Sequence, residues 1–224
     1  MKNVSRCALT KVLMCITLAG ALVISLFGGI GTVWAYTSHA PIRIASNSDF
    51  TYANGVTGGS GTQGSPYVIS GWEISGVLQT YTYAIYISDT TAYFIIEDCY
   101  LHDIGSGDAI GILLEDVTNG VIKNNIIEDC DGYGAYLDDD TWSNWVYLND
   151  FLGNNGVPGS GDSQGYDDDT SELTPNYWHY DEDTGGNHWS EHHCTGDPSD
   201  GSEPYDIDGA ASSQDTYPYE NTIN

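Results

Sequence analysis

An internal repeat of about 25 residues is the feature that most constrains how this chain can fold. The copies read AIYISDTTAYFIIEDCYLHDIGSGD from Ala84, AIGILLEDVTNGVIKNNIIEDCDGY from Ala109 and GAYLDDDTWSNWVYLNDFLGNNG from Gly134. Short apolar runs alternate with Asn, Asp and Gly, which is typical of short strands and not of a helical period. One such unit cannot bury its apolar side chains alone, so the copies must stack.

Stacked units with three short strands each predict an all-β fold, a single-stranded right-handed parallel β-helix of about four coils. A looser copy, PYVISGWEISG, begins at Pro66. The predicted organisation is an N-terminal leading segment at 36–65, repeats at 66–156, a Gly/Asp-rich loop at 157–175 and an aromatic C-terminal cap at 176–224.

Aligning the copies at a constant offset predicts which residues stack in neighbouring coils. The apolar columns are Ile85, Ile110 and Ala135; Ile87, Ile112 and Leu137; Ile95, Val121 and Val146; and Leu101, Ile127 and Leu152. The polar columns are Asp98, Asn124 and Asn149, then Cys99, Asn125 and Asp150, and stacked Asn side chains there can hydrogen-bond along the stack. The same alignment places Lys123 beside Glu97, His102 beside Glu128, and Glu115 beside Asp140.

The first 35 residues read as a targeting segment. Three basic residues precede a long apolar run, and Val33-Trp34-Ala35 offers a small-residue cleavage pattern. The run approaches the length of about 20 residues that spans a bilayer. The segment is therefore a cleaved signal peptide or an uncleaved N-terminal anchor, and the remainder is expected to be secreted or held at the cell surface.

The rest of the chain is strongly acidic. Residues 36–224 contain all 32 acidic residues and only two basic ones, Arg43 and Lys123, for a net charge of −30. Such a field repels nucleic acid and anionic lipid, so neither is expected as a partner, and membrane contact is expected only through an uncleaved N-terminal segment. The oligomeric state is left open. Cys99, Cys130 and Cys194 are an odd number of thiols, which does not fit a disulfide scaffold.

The repeat phrases, the leading segment DFTYANGVTGGSGTQGSPYVISGWEIS (49–75) and the tail NYW…GGNHWSE…EPYDIDG…DTYPY (176–219) carry a family resemblance. They resemble right-handed parallel β-helix repeat proteins, and in particular the NosD-like group of secreted proteins common in archaea. The namesake of that group is implicated in supplying copper for nitrous oxide reductase maturation. The resemblance thus implies the fold, and it implies copper handling as an alternative function.

A histidine-rich stretch, NHWSEHHC at 187–194, raises the possibility of a metal site. With His179 it offers five ligands suited to Cu or Zn, namely His188, His192, His193, His179 and Cys194. The resembling family reads like NYWSDY here, so His188 and Glu191-His192 depart from it. The alternative is that Asn176-Tyr177-Trp178 and Asn187-His188-Trp189 only cap the end of the coil stack.

Acidic clusters suggest either a cation site or an acid pair for glycoside chemistry. The cluster Glu115, Asp138, Asp139 and Asp140 could bind Ca²⁺, as could Asp167–Asp169 or Asp206 with Asp208. A glycoside hydrolase needs two carboxylates, for which Glu115 with Asp140, or Asp139 with Asp140, could serve. Against a lyase or hydrolase of the pectate-lyase-like superfamily, the chain contains no GHG or RxK motif and few bases. Solvated acidic turns are the simpler interpretation.

Six Trp and 17 Tyr are many for this length. Trp142 and Trp145 lie beside the acidic turn and could hold sugar rings, although aromatic residues also pack turns. The sequence therefore favours a non-catalytic structural module, or one that binds a glycan or surface polymer. Copper handling and polysaccharide cleavage are the alternatives.

Overall fold

The computed structural model describes residues 35–76, 82–105, 107–155, 163–170 and 174–224. Tyr36–Asn224 forms one compact unit. The predicted signal peptide or anchor lies outside the described residues apart from Ala35. In the described ranges, the helical elements are two single 3₁₀ turns, Asn47–Asp49 and Tyr52–Asn54, and no helix is long and apolar enough to cross a membrane.

Three sheets run along a solenoid of stacked parallel strands, which confirms the predicted parallel β-helix. Sheet A contains, in spatial order, β1 (Thr37–Ser38), β5 (Trp72–Ser75), β8 (Tyr100–His102), β11 (Ile126–Glu128), β14 (Asp150–Leu152) and β16 (His188–Trp189). Sheet B contains β2 (Ile42–Ile44), β6 (Tyr83–Thr90), β9 (Ile110–Val117), β12 (Ala135–Leu137) and β15 (Gly165–Asp167). Sheet C contains β3 (Val56–Gly58), β4 (Tyr67–Ser70), β7 (Phe94–Glu97), β10 (Gly120–Lys123) and β13 (Trp145–Tyr147).

Two departures from the simple stack lie at its ends. Strand β3 pairs antiparallel with β4, and β17 (Tyr205–Asp206) forms an antiparallel pair with β18 (Gln214–Asp215). About three full turns of the chain separate β4 from β13, slightly fewer than the predicted coil count of about four. Beyond these turns, the sheets end in short strands such as β1 and β16 and not in further complete coils.

The predicted columns are correct in part and wrong where a constant offset was assumed. Ile85 pairs with Ile112, 27 residues later, and Ile112 pairs with Ala135 after only 23 residues. Ile110 was predicted to align with Ile85, but it pairs with Tyr83 and is half-buried. Ile87 pairs with Leu114, whereas the constant offset predicted Ile112. Leu137 pairs with Leu114 and so lies in the same column as Ile87, as predicted. Turns of unequal length absorb the difference, since only the strands must keep register.

The third coil is shifted by one residue relative to the prediction. Trp145, not Val146, pairs with Val121, and Phe151, not Leu152, pairs with Ile127. The inward column of sheet A is therefore Ile74, Leu101, Ile127, Phe151 and Trp189, all of them buried. Each fully buried side chain of this size contributes about 1.5–3 kcal/mol of hydrophobic stabilisation.

The same shift changes the polar column. Asn149 was predicted beside Asn124, but its side-chain oxygen accepts a hydrogen bond from the backbone N–H of Asn125 at 3.1 Å. Leu148 lies beside Asn124 instead, and its carbonyl accepts the N–H of Asn124 at 2.9 Å. Asp150, predicted to stack on Asn125, pairs with Ile126. The ladder of stacked amides therefore exists, one residue away from its predicted position in this coil.

The first amide ladder starts at Cys99, as predicted, and runs through Asn125 and Asn149 to Asn187. The backbone N–H of Cys99 donates to Asn125 Oδ1 at 3.0 Å, and that of Asn149 donates to Asn187 Oδ1 at 3.1 Å. The N–H of Asn187 then donates to the buried carboxylate of Asp215 at 2.6 Å. Each rung satisfies a buried backbone donor, which would be costly to leave unpaired.

Two further ladders occupy other corners of the coil, and they also end on carboxylates. In the second, the N–H of Asn144 donates to Asn176 Oδ1 at 3.1 Å, and Asn176 Nδ2 donates to Asp167 at 3.0 Å. In the third, the N–H of Asn154 donates to Gln164 Oε1 at 2.8 Å, and Gln164 Nε2 donates to Glu191. The solenoid thus ends in three acidic acceptors.

Aromatic rings close the C-terminal end between these acceptors, in agreement with the predicted cap. Trp189 stacks on Phe151 with centroids 4.4 Å apart, and Tyr205 stacks on Trp189 at 4.2 Å. The indole N–H of Trp178 donates to Asp167 and that of Trp189 to Asp215, at 3.0 and 2.9 Å. These rings cover the last coil, where an open edge would invite further strand pairing.

The two predicted charge pairs on the outer surface have the expected register. Lys123 Nζ lies 3.0 Å from Glu97 Oε2. His102 is the register neighbour of Glu128, but its ring nitrogens contact Glu73 at 3.2 Å and Asp103 at 2.7 Å. Burial works to lower the pKa of His102, and the hydrogen bonds with these two carboxylates outweigh it, so the net shift is upward.

All three cysteines of the described chain are free and buried. Burial raises the pKa of the thiol to about 12 in Cys99 and to about 11 in Cys194, and it raises that of Cys130 as well. Cys99 and Cys130 head two different ladders. All three thiols are therefore protonated near neutral pH.

Candidate ligand-binding surfaces

The histidine-rich stretch lies in the C-terminal cap, where its members point to different partners. The Nδ1 atom of His188, a buried residue, lies 3.1 Å from the carbonyl oxygen of Tyr219. His192 Nε2 lies 2.9 Å from the carbonyl oxygen of Glu203. These two rings therefore each contact a separate backbone carbonyl.

The other three candidate ligands, His179, Cys194 and His193, also do not share a common contact partner. His179 Nδ1 accepts the backbone N–H of Thr216 at 3.4 Å, and burial lowers the pKa of this histidine. Cys194 donates to the carbonyl oxygen of Pro218 at 3.5 Å. His193 is exposed. Across the ranges that the structure describes, no three His, Cys, Asp or Glu side chains are grouped so as to hold a metal ion.

The predicted carboxylate cluster is arranged differently from the expectation. Asp138, not Asp140, continues the strand register beside Glu115, because the Asp138 N–H donates to the Leu114 carbonyl at 3.0 Å. Asp139 and Asp140 are exposed. The strand register therefore does not place Asp140 beside Glu115, and the predicted acid pair is not formed in this way.

The other calcium candidates already accept hydrogen bonds from the protein. Asp167 ends the second ladder, Asp208 Oδ2 accepts the Ser163 N–H at 3.0 Å, and Asp206 Oδ1 accepts from Gln214 at 2.6 Å. Asp167 and Asp208 connect the cap to the last coil, whereas the contact of Asp206 lies on the exposed surface of its hairpin. Calcium binding stays a prediction.

Trp145, one of the two predicted glycan-binding residues, belongs to a group of aromatic rings on the outer side of sheet C. It stacks on Tyr177 with centroids 4.3 Å apart and lies 5.4 Å from Tyr180. Tyr147 lies 5.2 Å from Tyr180. We call Trp145, Tyr147, Tyr177 and Tyr180 the aromatic face. Trp142, three residues before Trp145, is a further exposed ring.

The aromatic face is open to solvent. The exposed fractions are 37% for Tyr177, 51% for Tyr180 and 40% for Trp142, whereas most large apolar side chains of the described chain are in the core. Tyr177 pairs with Trp145 through an isolated bridge that connects the cap to the last strand of sheet C. An exposed group of rings on a rigid scaffold is typical of a surface that contacts a ligand.

An apolar stripe extends the aromatic face along the solenoid. Val68, Ile95 and Val121 lie in register with Trp145, and all three are only half-buried. The neighbouring outward pair, Glu97 with Lys123, is close to neutral in sum. The outer side of sheet C is thus an elongated, nearly uncharged strip on a very acidic molecule.

The sequence analysis named Trp142 and Trp145 as candidates and did not name Tyr177 or Tyr180, which lie beside Trp145. Tyr177 is the register partner of Trp145 although 32 residues separate them, because the segment 157–175, which contains β15, and the start of the cap intervene. The paired Asn-x-Trp units at 176 and 187 were a usable signal, since Asn176 occupies the ladder position after Asn144.

A family model described as periplasmic copper-binding protein (NosD) matches residues 42–194. The match covers the stacked strands from β2 to β16 and includes the histidine-rich stretch. No curated protein and no solved structure matches the chain.

Proposed function

The chain belongs to the NosD family, and from this premise we propose that it is a non-catalytic binding protein that works outside the cytoplasm. The family is described as periplasmic, which supports an extracytoplasmic location. The solenoid provides a rigid scaffold, and its side faces provide the surfaces for ligands. Attachment to the cell surface or release from the cell is part of the same proposal.

The observation that carries this proposal is the aromatic face. Its rings lie in contact with one another, they are partly exposed, and the strip that continues them carries little net charge. A neutral, extended glycan suits such a surface, because sugar rings present apolar C–H faces to aromatic side chains and hydroxyls to water. The family match itself gives no support for a glycan ligand.

Replacing both Tyr177 and Tyr180 with alanine should weaken glycan binding about thirtyfold, since each ring contributes on the order of 1 kcal/mol. Affinity gel electrophoresis in soluble neutral polysaccharides such as mannan, xylan or a β-glucan measures this as reduced retardation. The matched control is Tyr52→Ala, because Tyr52 is 82% exposed in the N-terminal 3₁₀ turn, outside the aromatic face. Equal retardation of wild type and double variant would refute this function.

Copper handling is the second candidate, and the family description favours it. The described residues do not fit a resident copper site. They offer no group of three ligand side chains, and their three thiols are buried with raised pKa values. Copper would then be a cargo bound by fewer groups, with His188 and His192 as the first residues to test.

Elemental analysis separates the two candidates. The protein is incubated with copper, dialysed and analysed for metal, beside the His188→Ala and His192→Ala variants. From the dispersed contacts of the histidines we expect dialysis to remove the copper. Copper retained in stoichiometric amount, and lost in either variant, would instead support copper handling and contradict the expectation.

A further inference from the structure

Sheet B carries a second row of aromatic residues on its outer side. Arg43, Tyr86, Leu113, Tyr136 and Tyr166 lie in register across five neighbouring strands. We call this row the tyrosine face. Tyr136 stacks on Tyr166 with centroids 4.3 Å apart and an interplanar angle of 13°.

A row of carboxylates runs beside the tyrosine face. Glu115 lies in β9. The N–H groups of Asp138 and Asp168 donate to the carbonyls of Leu114 and Leu137, both at 3.0 Å. These bonds place the two aspartates in the same row as Glu115. Tyr86 donates its hydroxyl to Glu115, and Tyr166 donates to Asp168 at 3.5 Å. Unlike the aromatic face, this surface is acidic.

The first coils of the tyrosine face already hold a cation from the chain itself. The guanidinium carbon of Arg43 lies 5.1 Å from the centroid of Tyr86, within cation–π distance. Tyr86 in turn is hydrogen-bonded to Glu115. The unit that binds this guanidinium is thus a tyrosine ring next to a carboxylate.

The last coils repeat that unit without a basic residue of their own. Tyr136 and Tyr166 lie beside Asp138 and Asp168, and burial together with the charges of these aspartates raises the pKa of Tyr136. After residue 35 the sequence contains one other basic residue, Lys123, which pairs with Glu97 on sheet C. No basic side chain of the described ranges is therefore available to Tyr136 and Tyr166.

We propose that Tyr136, Tyr166, Asp138 and Asp168 bind an arginine side chain of an extended partner polypeptide. The occupant follows from charge complementarity and from the internal example of Arg43 on Tyr86, since guanidinium combines stacking on a ring with hydrogen bonds to carboxylates. The row runs along the solenoid, so it suits a chain better than a small amine. This site is separate from the aromatic face.

The test is fluorescence anisotropy with a labelled hexa-arginine peptide at physiological salt, where bulk attraction is screened. Tyr136→Leu should weaken binding about two- to fivefold, as loss of one cation–π contact implies. Leucine fits this column, because Leu113 already occupies it. Tyr180→Leu, on the separate aromatic face, is the matched control and should bind like wild type.

A charge-matched pair of variants completes the test. This comparison remains valid even if the leucine variant misfolds. Asp138→Asn should weaken binding more than Asp183→Asn, since Asp183 is an exposed acid of the cap outside this row. Equal affinities of Tyr136→Leu and wild type, or equal losses in the two asparagine variants, would overturn the proposal. They would show that only the net negative charge attracts the peptide, and they would leave the glycan proposal untouched.

Discussion

Replacing Asp215 with alanine is expected to lower the free energy of unfolding by about 3–5 kcal/mol. The carboxylate is fully buried and accepts hydrogen bonds from the Asn187 N–H at 2.6 Å, the Trp189 indole at 2.9 Å and the Tyr217 N–H at 3.2 Å. Alanine would leave these buried donors unpaired, and it would detach the first ladder from the cap. Urea unfolding followed by circular dichroism measures the loss.

The control is Asp206→Ala, which removes the same charge from the same hairpin at an exposed position. It should change stability by less than about 0.5 kcal/mol. A loss of similar size in both variants would mean that charge, and not the buried acceptor, matters.

The pH dependence of stability gives an independent readout for Asp215. Burial raises its pKa from 3.8 to about 7, so between these values the folded state holds a proton that the unfolded state releases. The contribution of this group is therefore complete below about pH 4 and is lost as the pH rises through about 7. The fall in unfolding free energy over that interval should be smaller in Asp215→Ala than in wild type.

Asn149→Ala is expected to cost about 3 kcal/mol, because it removes a central rung of the first ladder. Asn149 Nδ2 donates to the carbonyls of Ile122 and Tyr147 at 3.0 and 3.1 Å and to Asn187 Oδ1 at 2.9 Å. Its Oδ1 accepts both the backbone N–H and the side chain of Asn125. The melting temperature and urea midpoint report this change.

Asn124→Gly is the control that also tests the register. Asn124 has a φ of 54°, a value that glycine adopts without strain, and it is outside the ladder. We expect a change of less than about 0.5 kcal/mol. Losses of similar size in Asn124→Gly and Asn149→Ala would favour the register predicted from the sequence, in which these two side chains stack, and would contradict the observed one.

The fold was predictable because the sequence pattern that produces it is local and recurs in every coil. Apolar residues recur in short runs, so stacking follows from the need to bury them, and the Lys123–Glu97 neighbours follow from one well-aligned pair of coils. The register of the third coil was not predictable from a constant offset, because the turns differ in length. No local pattern in the sequence reports those lengths.

The ends of the ladders and the binding surfaces depend on contacts distant in sequence. Asn187 follows Asn149 after 38 residues, and Asp215 follows Asn187 after 28. Tyr177 meets Trp145 only because the cap folds back onto sheet C. The histidines near 190 suggested a metal site from composition alone, but their orientation depends on which backbone carbonyls the cap presents to them.

The family resemblance and the geometry inform different parts of the function. Family membership indicates a β-helix protein outside the cytoplasm and brings copper into consideration. The side faces, with one neutral and one acidic aromatic surface, support ligand binding along the solenoid. A tight copper site and a glycan site would leave different signatures, so the two can be tested separately.

The central claim is that ligands bind on the aromatic face while the core and the buried tryptophans of the cap stay unchanged. A ¹H–¹⁵N spectrum of the tryptophan indoles, recorded during titration with the neutral polysaccharide that most retards the protein, tests it directly. We predict that the signal of Trp145 shifts and that those of Trp178 and Trp189, which donate to Asp167 and Asp215 in the cap, stay in place. Shifts confined to Trp178 or Trp189, or no shift with any polysaccharide, would contradict the account.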